Sequence, residues 1–256
     1  MNRLKQRLAE GRRTLALFLV TPSPDTAEIL AGAGFDCLIV DHEHGLGTVT
    51  EAVAQLRAMK GAGTTSMIRV PSAAGGHIQR ALDSGFECIL CPGIESREEA
   101  EAAVRACRYP PAGQRGAGGS LRAAAYGRNA SYYADSTSDT LIALQVESAN
   151  AVARIEEIAS VEGVDMVVIG PRDLSASIGK LNRFADPDGK ALFAEAERRI
   201  LATGRYMATV IYPGLTLGGM FERGHHMIIA GSDTGLLVQG AQALVESLDP
   251  PSKTTG

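Results

Sequence analysis

The sequence predicts an α/β chain closed into a (β/α)8 barrel, and three observations carry that reading. Eight short apolar runs rich in β-forming residues recur along the 256 residues. Each is separated from the next by a stretch with apolar residues at helical spacing. No G-x-G-x-x-G follows an early strand, as an open dinucleotide-binding sheet would require. Continuous apolar strands joined through helices are parallel and buried on both faces. Eight such units in this length fit a closed barrel of the TIM type better than a doubly wound sheet.

In chain order, "MNRLKQRLAEGRR" opens as a charged amphipathic helix. The strands follow as "TLALFLV" (14 to 20), "FDCLIVD" (35 to 41), "TSMIRV" (65 to 70), "ECILCP" (87 to 92), "LIALQVE" (141 to 147), "DMVVIG" (165 to 170), "RYMATVIY" (205 to 212) and "HMIIAG" (226 to 231). Helical segments between them include "SPDTAEILAGAG", "TVTEAVAQLRAMKGAG", "GGHIQRALDSG", "SREEAEAAVRACR", "NAVARIEEIASVEG", "AEAERRILATG" and "GLTLGGMFERG", several closing on a Gly stop signal. One long segment rich in Pro and Gly, 109 to 139, is predicted as loop, and a loop of that length is usually functional or interfacial. A single barrel domain is expected over 1–250, with a flexible tail at 251–256.

Composition narrows the function. A formal charge of -4 with no Lys/Arg-rich block argues against nucleic acid or an anionic membrane as partner. No run approaches a membrane span and no signal-type stretch follows the first helix, so a soluble cytoplasmic protein is expected. Cys37, Cys88, Cys91 and Cys107 sit mostly inside apolar segments and read as reduced packing residues.

In such barrels the chemistry lies at the C-terminal strand ends. Strand 2 ends in "DHEHG" with Asp41, Glu43 and His44; strand 3 in Arg69; strand 5 in Gln145 and Glu147; strand 6 runs into Asp173; strand 8 ends near Asp233. Glu147 and Asp173 come from neighbouring strands, and two converging carboxylates repel unless a proton or cation lies between them. A hard divalent ion resolves that conflict; alternatively, Asp173 caps a short helix and no metal is involved. His42 and His44 flank Glu43, but without a third nitrogen or sulfur ligand a single histidine acting as acid or base is the better reading. His225 and His226 precede strand 8, at the far end of the barrel. None of the five lysines falls at a strand end, so a Schiff-base mechanism has no candidate.

With these residues in place, the sequence resembles the HpcH/HpaI aldolase/citrate lyase family, specifically its class II, metal-dependent pyruvate aldolases of the 4-hydroxy-2-oxoheptanedioate aldolase type. The matching stretches are "AGAGFDCLIVDHEHG", "ALDSGFECILCPGI", "ACRYPPAGQRGAG", "ALQVESANAVARIEEIASVEGVDMVVIGPRDLSASIG" and "GSDTGLL". The resemblance implies a barrel of the phosphoenolpyruvate/pyruvate-binding type whose C-terminal helix is exchanged between paired subunits, in a homo-oligomer commonly assembled as a hexamer, a trimer of dimers. It implies that Glu147 and Asp173 bind a divalent metal (Mg, Mn or Co), with Gln145 supporting them. The backbone amides around Arg172 and Asp173 would hold the pyruvate carboxylate. Arg69 would face the keto oxygen and His44 would be the acid/base group, with Asp83 as its partner and Asp41 beside it. The activity so implied is reversible addition of a pyruvate enolate to an aldehyde, cleaving 4-hydroxy-2-oxo acids.

Two positions depart from the family pattern: Phe18 stands where a tryptophan often lines the acceptor side, and Arg172 where a small residue is frequent. Arg172 could favour an acidic acceptor or a larger oxo acid, or make a surface ion pair. Other readings of the same residues are an oxo-acid decarboxylase, an acyl-CoA lyase, or a noncatalytic module binding metal and oxo acid.

Overall fold

Each of the eight apolar runs is a strand in the computed structural model, which describes residues 2–248. The strands β1 (Thr14–Leu19), β2 (Cys37–Asp41), β3 (Thr65–Arg69), β4 (Cys88–Cys91), β5 (Leu141–Val146), β6 (Met166–Ile169), β7 (Tyr206–Val210) and β8 (Met227–Ser232) pair in sequence order. All pairs are parallel and β8 returns to β1, closing the barrel. The expected tail at 251–256 lies outside the described residues.

Side chains alternate across each strand. One set, including Ala16, Ile39, Met67, Leu90, Ala143 and Val168, fills the barrel interior. The other set packs outward against the helices around Leu38, Ile68, Ile89, Leu144 and Val167. The barrel's lower end is plugged by α1 (Arg3–Ala9), whose Leu4 and Leu8 join the interior cluster. Asn2 caps that helix and also donates to the Glu87 carbonyl at 2.9 Å, which ties the helix to β4.

The wall helices are α2 (Pro24–Gly32), α3 (Val49–Ala58), α4 (Gly75–Ser84) and α5 (Arg97–Cys107) in the first half. Helix α4 stops at Gly85, whose φ of 100° is costly for any residue with a Cβ. The segment predicted as loop is irregular to about residue 124, but it then forms a 3-10 turn at Ala125–Gly127 and a helix, α6 (Tyr132–Asp139). That helix has little apolar periodicity to announce it. Tertiary contacts fix it instead: Tyr132 accepts from the Arg115 guanidinium at 2.8 Å, and Tyr133 packs on Tyr109 with ring centroids 5.1 Å apart.

In the second half, the single helix expected after β5 is broken at Arg154 into α7 (Ala149–Ala153) and α8 (Ile155–Ala159). Then come α9 (Pro171–Ser177), α10 (Pro187–Thr203) and α11 (Leu217–Glu222). The last helix, α12 (Asp233–Glu246), differs from the rest, because every residue from 236 to 248 is exposed. Among these are Leu237 at 63%, Leu244 at 73% and Val245 at 67% exposure.

All four cysteines are free and buried, and burial pushes their thiols up, that of Cys107 to about 12. They are inert packing groups. Among the described residues no helix is long and apolar enough to cross a membrane.

Candidate active site

Strand alternation decides which polar residues face the barrel axis. Phe18, Asp41, Arg69 and Gln145 share parity with the interior set, so they form its uppermost layer. Register sets Asp41 directly beside Arg69. The Arg69 guanidinium is almost fully buried, at 7% exposure, and meets Asp41 edge on: Nε to Oδ1 at 2.9 Å and Nη2 to Oδ2 at 2.6 Å. Its third nitrogen, Nη1, lies 2.9 Å from Glu43 Oε2. Beneath it is the Phe18 ring, with the guanidinium carbon 4.3 Å from the ring centroid. Phe18 thus supports the arginine as well as lining the mouth.

This clamp sets the protonation of its members. Burial pushes the Asp41 carboxyl up, but the Arg69 hydrogen bonds and charge, together with the His44 and Glu43 amides, hold it below the usual carboxylate range. Those amides donate to Asp41 Oδ1 at 3.3 and 3.0 Å, so Asp41 also fixes the loop carrying His44. The His44 imidazole is exposed, and its Nε2 is 3.8 Å from Glu43. His42 turns away instead, with Nε2 buried beside Gly47, and burial lowers its pKa.

Glu147 follows β5 by one residue and keeps the inward parity of Gln145. Its carboxylate accepts from the Gln145 amide and from the Gly93 backbone N–H, the latter at 2.8 Å. Burial raises the Glu147 carboxyl, and Glu43 and Asp173 raise it further. Asp173 lies within α9, whose N-cap is Gly170, and it makes no capping hydrogen bond. The helix-cap alternative for Asp173 therefore does not hold. Gly170 is required by close approach: a Cβ there would lie 2.7 Å from Glu147 Oε2 and 3.0 Å from Glu147 Cβ.

Asp41, His44, Arg69, Gln145, Arg172, Asp173 and Phe18 all line one mouth of about 410 Å³, with Glu147 bonded to Gln145 just behind them. The two carboxylates fit a hard divalent ion. They come from neighbouring strand ends, repel one another, and leave coordination positions for water and substrate. Among the described residues no group of three or more His, Cys, Asp and Glu is arranged to hold a metal; Glu147 and Asp173 are the two carboxylates that would hold an ion here.

Asp83 is not brought into this constellation within the chain. It occupies the last turn of α4, at the end of the barrel opposite the mouth, and its Oδ1 accepts from Arg115 Nη2 at 2.7 Å. The expected partnership with His44 is thus absent from a single protomer, because α4 runs away from the rim before reaching Asp83. Asp233 is structural: it accepts from the backbone of Val20 and Thr21 at 2.8 and 3.0 Å. Glu197 holds His225 Nε2 at 2.8 Å in the buried far end of the barrel.

Sequence reading did not find Gly93, whose role is a backbone amide, nor the stacked pair Phe184 and Tyr212 on the mouth, 4.9 Å apart. Phe184 belongs to no strand pattern, and only the return of the loop before α10 brings it to the rim.

The family model for HpcH/HpaI aldolase/citrate lyase matches residues 14–240. The chain belongs to the HpcH/HpaI aldolase/citrate lyase family. A 4-hydroxy-2-oxovalerate aldolase of Novosphingobium aromaticivorans is 38% identical over 94% of this chain and 92% of the relative. A 5-keto-4-deoxy-D-glucarate aldolase of Escherichia coli is 34% identical over 96% of each. The crystal structure of an HpcH/HpaI aldolase/citrate lyase family protein from Burkholderia cenocepacia superposes with a TM-score of 0.93 at 32% identity, covering 97% of this chain and 99% of that one.

Proposed function

We propose that this HpcH/HpaI family member is a metal-dependent class II aldolase, a carbon-carbon lyase that cleaves 4-hydroxy-2-oxo acids to pyruvate and an aldehyde and runs the addition in reverse. The observation that carries the reading is the buried Arg69, held by Asp41 with Glu43 beside it, in the same mouth as Asp173 and next to the carboxylate of Glu147 that Gln145 holds. Aldolase-named relatives at 34 to 38% identity over nearly the whole chain support it. Their names denote a dicarboxylic and a monocarboxylic oxo acid, so they leave the acceptor open.

Glu147 and Asp173 would hold the divalent ion, with Gln145 orienting Glu147. Mg, Mn and Co all accept such oxygen ligands. When bound, the ion supplies a Lewis acid for the substrate's keto oxygen. Arg69 contributes a second cation at that oxygen. Because two of its nitrogens are already bonded to Asp41, it needs little reorganisation as negative charge develops. The backbone amides around Arg172 and Asp173 hold the oxo-acid carboxylate. In cleavage, His44, acting through water, removes the 4-hydroxyl proton; the C3–C4 bond breaks and its electron pair passes into the pyruvate enolate. In addition, the same imidazole returns that proton. Asp41 keeps His44 in place by bonding its backbone amide rather than its ring.

The exposed apolar face of α12 supports an exchange of that helix between paired subunits, which would make the protein a homo-oligomer, with a trimer of dimers as the assembly proposed. We assign it to the cytoplasm, with no nucleic acid or membrane partner.

The test is exchange of pyruvate methyl protons in deuterated water, followed by NMR on EDTA-treated protein and again after adding Mg2+ or Mn2+. Exchange that needs the metal is expected. No exchange with any divalent ion would remove pyruvate aldolase chemistry from consideration.

A further inference from the structure

The mouth contains two guanidinium groups in contrasting states. Arg69 is committed, with Nε and Nη2 on Asp41 and Nη1 beside Glu43. Arg172 lines the same mouth, yet among the described residues its guanidinium has neither an ion pair nor a hydrogen bond. Only its backbone is engaged, its carbonyl accepting from Ser175 Oγ at 2.7 Å. Arg172 is exposed at the rim, and the surface ion pair open to it is not formed among the described residues.

Arg172 and Asp173 are successive helix positions, about 100° apart around the axis, so they address different parts of the mouth. Asp173 acts on the carboxylate cluster, where it raises both Glu147 and Glu43. Arg172 shares the mouth with an apolar wall made by the stacked Phe184 and Tyr212, with Val210 and Ile211 beside them. A lone planar cation at the edge of an apolar wall suits a ligand with a short carbon chain ending in a carboxylate, which a guanidinium binds through two parallel charge-assisted bonds. A neutral aldehyde would leave the guanidinium in water and gain nothing from it.

We infer that Arg172 is the specificity-determining residue for the acceptor aldehyde, and that the acceptor carries its own carboxylate, as in a short-chain semialdehyde acid. The inference rests on the aldolase reading, and its test is kept separable from that reading. Two ligands of equal length decide it, 2-oxoheptanedioate and 2-oxoheptanoate, which differ only in the distal carboxylate. Their binding is measured by calorimetry in the presence of Mg2+. The wild-type protein is expected to bind the dicarboxylate more tightly. Arg172→Ala is expected to weaken the dicarboxylate about tenfold or more while changing the monocarboxylate less than about twofold. Arg172→Lys should keep part of the preference, since charge survives but the planar fork does not.

With succinate semialdehyde and butanal as acceptors, the same variants should lose kcat/KM for the semialdehyde alone, chiefly through KM. Equal binding of the two oxo acids by the wild type, or equal weakening of both in Arg172→Ala, would overturn the inference. Methyl-proton exchange by the wild type is run alongside: its failure counts against the aldolase reading, while the binding comparison still decides Arg172.

Discussion

Asp41 connects the chemistry of the mouth to acid stability, since its carboxyl carries the Arg69 guanidinium and two loop amides at once. Its folded pKa is held below the unfolded value of about 3.9. A depressed carboxyl stabilises the fold above the unfolded pKa, and that contribution is lost as pH falls through the folded one. Asp41→Asn should therefore cost about 3 kcal/mol at neutral pH, the low end for opening a buried pair, because Glu43 still faces Arg69. The gap to wild type should be flat from about pH 5 to 8 and close below about pH 4. Denaturant unfolding at a series of pH values measures it; a gap that persists at pH 2 would mean the cost is steric. Arg69→Ala and Glu147→Ala separate charge stabilisation from metal holding. The first should cut methyl-proton exchange by about a hundredfold or more with metal affinity kept. The second should weaken metal binding by more than about tenfold, read by titration calorimetry.

At the level of elements, the junction of β6 and α9 sets the carboxylate cluster. Gly170 caps the helix with φ of -90°, a conformation open to alanine, so a Gly170→Ala effect reports close approach rather than backbone strain. Its Cβ would press on Glu147 and on Gln145 Nε2, 3.2 Å away. The expected outcome is metal affinity reduced about tenfold with only a small fall in Tm. A large loss of stability with metal affinity retained would place the pressure on the strand instead. Much of this element was readable: the run from Gln145 to Asp173 marks two strands and a return, and parity aims Gln145 and Glu147 inward. The break at Arg154 and the helix at 132–139 were not, since both follow from packing partners distant in sequence.

For the whole molecule, α12 is the element whose surroundings a single chain does not supply. Leu237, Leu244 and Val245 lie open along it. If a second copy covers them, Leu237→Glu should lower the native mass measured by light scattering after size exclusion, because a charge would be buried in the contact. An unchanged mass would mean that α12 is not the contact.

The sequence by itself determined the number and order of strands, the barrel, and the candidate residues at strand ends, because burial on both faces enforces continuous apolar runs and the twofold repeat aims every second side chain inward. Gln145, Glu147, Arg69 and Asp41 were legible for that reason. Only the tertiary structure decided which charges pair and which stay free. It committed Arg69 to Asp41 and Glu43, moved Asp83 to Arg115, turned His42 away, and left Arg172 unpaired among the described residues, in the same mouth as Phe184 and Tyr212. Ion pairing depends on distances of a few ångströms between segments far apart in the chain, and neither periodicity nor composition encodes those distances.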